Sequence, residues 1–169
     1  MTLPLTPSQT VGPFFAIGLA RRTENELVPP SSEGSIVLEG RVLDADGAPV
    51  PDAMVEIWQA DAAGRYDSGF GWGRSGTDAQ GAYSFVTVKP GGVDGGAPHL
   101  SMLVFMRGLL KPVLTRVYFS DEVEANAADP VLAGVPEEAR NLLVATGEGG
   151  VFRFDVRMQG ENETPFFTL

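Results

Sequence analysis

The chain has 169 residues, enough for one domain with a substantial buried core, and no cysteine, which excludes disulfide frameworks, zinc knuckles and a thiol nucleophile. Its 22 acidic residues against 12 basic ones leave a net charge of -10, so nucleic acid and anionic membrane surfaces are poor partners. The opening MTLPLTPSQT lacks the charged and apolar regions of an export signal, and no apolar run approaches the roughly 18 residues of a membrane span, so a reducing cytoplasmic setting is expected.

In chain order, the first 34 residues read as an extended arm. Pro4, Pro7, Pro13, Pro29 and Pro30 oppose regular helix, while Phe14, Phe15, Ile17 and Leu19 offer apolar surface to bury against a body. Ser35 to Leu43, closed by a turn at Asp44 to Gly47, and Ala53 to Ala60 read as the two strands of a hairpin with a Pro-bearing connection. Turns at Asp61 to Gly64 and Thr77 to Gly81 bracket a Gly-rich loop. Ala82 to Val88 then alternates with period two and stops at Lys89-Pro90-Gly91-Gly92. His99 to Met106 and Leu114 to Phe119 form a further strand pair around a bend at Arg107-Gly108. Asp121 to Arg140, rich in Glu and Ala, suits one or two short helices outside the sheet. Val151 to Gln159 closes the fold as a strand with Phe152, Phe154, Val156 and Met158 on one face. About seven short strands with little helix predict an all-β, antiparallel β-sandwich in a single domain, residues 1–169.

Few side chains offer chemistry. The one histidine, His99, is followed at the same-face position by Ser101, so a two-histidine metal site cannot form, and a strand-end imidazole bonded to backbone or solvent is the simpler reading. Tyr83 and Tyr118 lie in alternating strands and read as core rings; Tyr66 closes a hairpin and reads as structural. Trp58 is expected in the core, at its edge or in an interface. Asp121-Glu122 and Glu137-Glu138 suit solvated or helix-start positions. Arg107 stands on a bend, where a guanidinium is either a surface charge or a two-pronged grip on a carboxylate; the residues alone leave both open.

Four segments in this order, GRVLDADGAPVPDAMVEIWQADAAGRYD from Gly40, TDAQGAYSFVTVKPG from Thr77, APH ending at His99 and TRVYF from Thr115, resemble the intradiol ring-cleavage dioxygenases. TPSQTVGPFF from Thr6 and DVRMQGENETPFF from Asp155 are similar to the two ends of the α chains in those members built from α and β chains. The resemblance implies a transthyretin-like sandwich and insertion of both atoms of O2 between the hydroxyl-bearing carbons of 3,4-dihydroxybenzoate. It also implies a hetero-oligomer in which Fe(III) is held by two tyrosines and two histidines of the partner β chain. This chain has Ser101 at the second histidine position, Gly92-Val93 where the KPG element would continue into Pro-Tyr, and no tyrosine in the short loop Asp67 to Arg74. At most one of four ligands is retained, so neither a metal ligand nor a catalytic residue is expected here. By motif match Thr10, Gly12, Pro13 and Arg107 are expected to complete the partner's substrate pocket, with the arm packing on that partner; Phe14 replaces a tyrosine found in α chains. The alternative is a stand-alone transthyretin-like module that binds a small ligand.

Overall fold

The computed structural model describes residues 5–12, 14–19, 24–66 and 69–168. Among the described residues nine strands are formed: β1 Ser35–Leu43, β2 Met54–Gln59, β3 Trp72–Gly76, β4 Ala82–Val88, β5 His99–Phe105, β6 Val113–Phe119, β7 Val144–Glu148, β8 Val151–Arg153 and β9 Val156–Arg157. They hydrogen-bond in the order β3-β2-β5-β6-β7-β8-β1-β4, with β9 also on β1. The expected purely antiparallel pairing does not hold, and β1 and β2 do not form the expected hairpin: β1 pairs with β4, and β2 with β3 and β5. The pairs β1·β8, β1·β9 and β6·β7 are parallel, and the strands form one continuous mixed sheet curled into a half-barrel.

The curl depends on β7, whose first residues pair with Tyr118 and Phe119 of β6 and whose last three pair with β8. One short strand thereby joins the two halves around a corner. Alternation supplies the inner faces: Leu100, Met102 and Val104 of β5 and Tyr83 and Phe85 of β4 are buried in one cluster with Leu38, Val55 and Ile57. Gln59 of β2 is fully buried and lies across the core from β4. Its amide accepts from the Thr87 hydroxyl at 2.8 Å and donates to the Val88 carbonyl at 2.9 Å, so no polar group there is orphaned.

Two strands, β3 and β7, were not expected. β3 arises inside the Gly-rich loop, because Gly73 leaves room for Leu27, whose Cδ1 would stand 2.5 Å from a Cβ at that position. The closing segment is two strands, broken at Phe154-Asp155 where it crosses Gly40; its Phe152, Phe154 and Val156 are buried as expected, and Met158 packs against the same cluster. After the arm helix α1 Phe14–Leu19, three short helices stand where one or two were expected, α2 Val123–Ala128, α3 Pro130–Ala133 and α4 Glu137–Arg140.

The arm is only partly extended. Phe14–Leu19 is a six-residue helix, with Phe15 N–H donating to the Gly12 carbonyl at 3.1 Å; the prolines flank this turn and do not interrupt it. Farther on, Arg74 N–H of β3 donates to the Glu24 carbonyl at 2.9 Å, Leu27 N–H donates to the Val86 carbonyl of β4 at 2.8 Å, and Val86 N–H donates to the Asn25 carbonyl at 2.9 Å. Residues 24–27 thus fill the gap between the two edge strands and satisfy backbone groups that an open sheet would expose. Among the described residues no helix is long and apolar enough to cross a membrane.

Candidate functional site

Two places bear on function. At the first, the β5-β6 connection turns at Arg107-Gly108, with Gly108 at φ +90°, a conformation costly for any residue with a Cβ. Its N–H donates to the Thr10 hydroxyl at 2.8 Å, so the arm is pinned on the turn that carries Arg107. Arg107 is more than half exposed and pairs through Nε with Asp52 Oδ2. Of the four residues expected at a shared pocket, Thr10, Gly12 and Arg107 are therefore on one side of the molecule by contact or by sequence proximity. Pro13 lies outside the described residues. Asp52 carries no motif and was not anticipated; only the folded chain brings it to Arg107.

The second place is the outer face of β2, β5 and β6. His99 sits opposite Tyr118, and Ser101 lies between Trp58 and Arg116 on the neighbouring strands. Trp58 points outward and is about half exposed, which fits the edge or interface position among those expected and not the core, and its ring stacks on Tyr66 with centroids 6.4 Å apart and planes within 2°. Tyr66, not the loop after it, thus brings a phenol to the face of His99 and Ser101; Asp67 and Ser68 lie outside the described residues. The spacing from Trp58 to Tyr66 was the available signal, but only the hairpin geometry turns it into a contact.

The donors on this face do not fit an iron centre. His99 Nδ1 faces the Ala97 carbonyl at 2.8 Å, leaving one ring nitrogen, and burial pushes its pKa down, with the Ala97 bond opposing the shift. Tyr118 donates its hydroxyl to Asp129 at 3.0 Å, which commits the phenol to that carboxylate, and burial pushes its pKa up to about 12 against the opposing effect of Arg116. Among the described residues no group of three or more His, Cys, Asp or Glu side chains stands together. Tyr83 and Tyr118 are core rings as expected, the Tyr83 hydroxyl donating to the Phe154 carbonyl at 2.6 Å. Asp121 and Glu122 are not merely solvated: both hold Lys89, at 2.8 and 2.6 Å, over the rings of Phe119 and Phe152.

A family model described as Dioxygenase matches residues 12–97. A protocatechuate 3,4-dioxygenase alpha chain of Burkholderia cepacia is 47% identical over 195 aligned residues, covering 99% of this chain and 99% of the relative. The chain belongs to the intradiol dioxygenases. It is also 37% identical, over 77% of its own length and 66% of the relative's, to a protocatechuate 3,4-dioxygenase beta chain of Burkholderia cepacia. The α and β chains of the family are thus related to each other through this sequence. Among solved structures, the dioxygenase domain of a dioxygenase and carbohydrate-binding fusion from Streptomyces sp. SirexAA-E matches 92% of this chain and 98% of its own, with a TM-score of 0.64 at 26% identity. These intradiol relatives support the dioxygenase reading and not the stand-alone binding module.

Proposed function

We infer that this chain is the α chain of a cytoplasmic protocatechuate 3,4-dioxygenase, acting within a hetero-oligomer whose β chain holds the ferric ion. The carrying observation is the junction of arm and turn: Thr10 accepts from Gly108 beside Arg107, so the two segments that α chains are expected to lend a partner's pocket form one surface. In the assembled enzyme the Arg107 guanidinium meets the substrate's ring carboxylate, and Thr10, Gly12 and Pro13 line the pocket beside it. A guanidinium is suited to this, since its planar fork matches a carboxylate and its charge offsets the repulsion between an anionic substrate and a chain of net charge -10. The iron and the oxygen chemistry belong to the partner; this chain binds and orients.

The arm supports the same reading. Leu5, Phe14 and Ile17 are each more than three-quarters exposed, an apolar surface that gains from cover by another chain. A partner descended from the same fold supplies such cover along residues 5–19, while residues 24–27 stay on the chain's own sheet.

The test is Arg107→Ala in the assembled complex. KM for protocatechuate rises on the order of 10- to 100-fold, the worth of one charge-assisted hydrogen-bonded pair, while KM for catechol, which lacks the carboxylate, moves little. Equal changes for both substrates remove Arg107 from carboxylate binding.

A further inference from the structure

We propose that Asp52 is a positioning residue for Arg107, fixing the inner edge of its guanidinium so that the outer edge is presented to the substrate carboxylate. The proposal rests on the role of Arg107 inferred above. Three observations carry it. Asp52 Oδ2 is shut off from solvent and has no hydrogen-bond partner, and Arg107 Nε stands in ion-pair contact with it. A carboxylate oxygen removed from water is costly unless a charge meets it, so Asp52 commits Nε to one place.

Asp52 is itself held on a rigid turn. The Thr77 hydroxyl donates to the Val50 carbonyl at 2.8 Å and accepts from Ala53 N–H at 3.0 Å, closing both sides of Pro51-Asp52, and Val50 and Ala53 are buried. The Arg107 turn is fixed independently by Thr10. Arg107 therefore has its backbone set by the arm and its guanidinium set by Asp52.

The magnitude of the pair argues for geometry over stability. With the Arg107 side chain 59% exposed, water screens the pair, and an asparagine in place of Asp52 leaves no buried charge behind, so its loss leaves a folded chain. What it removes is rotamer freedom from a long side chain that would otherwise be ordered only on binding, and that loss is read in substrate affinity. A carboxylate at Nε leaves the two terminal nitrogens for the incoming carboxylate, whereas one clamping those nitrogens would compete with it.

The experiment is a double-mutant cycle in the assembled α/β enzyme, with Asp52→Asn, Arg107→Ala and the double variant, each assayed on protocatechuate and on catechol. The proposal expects Asp52→Asn to raise KM for protocatechuate roughly fivefold with kcat nearly kept, to leave catechol unchanged, and to add nothing in the Arg107→Ala background. If Arg107→Ala is selective for protocatechuate but Asp52→Asn is silent, acts equally on both substrates or adds fully to Arg107→Ala, Asp52 has no positioning role and the Arg107 reading stands. If Asp52→Asn lowers KM, Asp52 competes with substrate and the proposal is wrong. If Arg107→Ala itself shows no selectivity, the reading beneath the proposal fails, and the proposal with it.

Discussion

A Cβ built on Gly40 would stand 1.7 Å from the Phe154 carbonyl oxygen, the same oxygen that accepts the Tyr83 hydroxyl. Backbone, not a flexible side chain, occupies the space, so Gly40→Ala must push β8 and β9 off β1 or break the Tyr83 bond. We expect a loss of at least about 3 kcal/mol in urea unfolding, at the upper end of overpacking effects. A loss under about 1 kcal/mol would show that the crossing relaxes freely. In the sequence, a glycine inside a strand marks a close approach, but the chain it approaches is unreadable. The Asp52-Arg107 pair is opaque for the same reason: a turn aspartate and a bend arginine are each unremarkable, and their meeting depends on β2 and β5 being neighbours.

Among the elements, β1, β4, β5 and β6 were legible nearly to the residue, because alternating apolar side chains between Gly and Pro turns have one consistent outcome. β3 and β7 were not, since WGRSG and VATGE carry little apolar signal and owe their pairing to neighbours already in place. The α3 start is the best-defined helix signal. Asp129 Oδ1 accepts from Val131 and Leu132 N–H at 2.9 and 2.8 Å and from the Tyr118 hydroxyl, while Oδ2 accepts from Ala97 N–H at 2.9 Å. Burial raises its pKa, but the Leu132 and Ala97 N–H groups, with Tyr118 and Val131, outweigh burial and hold it below the ordinary aspartate value. A depressed native pKa means stability that is present above the unfolded value and lost as pH falls through the folded one. Asp129→Asn should therefore cost about 1–3 kcal/mol at pH 7 in denaturant unfolding, and the gap to the parent chain should narrow as acid protonates Asp129. A gap constant from pH 7 down to pH 3 would place the effect in packing and not in charge.

For the whole molecule, the mostly β class and the family relationship were legible; the helix inside the arm and the mixed, curled sheet were not, because the parallel pairs span only two or three residues and leave no mark on the alternation. Nor could the sequence show that the arm divides, with residues 24–27 sealing the chain's own edges and the exposed apolar side chains confined to the part before them. That division, with a face whose donors do not fit iron, leads to the central claim that activity is a property of two chains. Its most direct measurement compares this chain purified alone with the same chain co-expressed with a β chain, scoring iron content and protocatechuate-dependent O2 uptake. The account predicts a colourless, iron-free, inactive chain alone and an iron-bearing, O2-consuming complex together. Stoichiometric iron and O2 uptake in the isolated chain would contradict it.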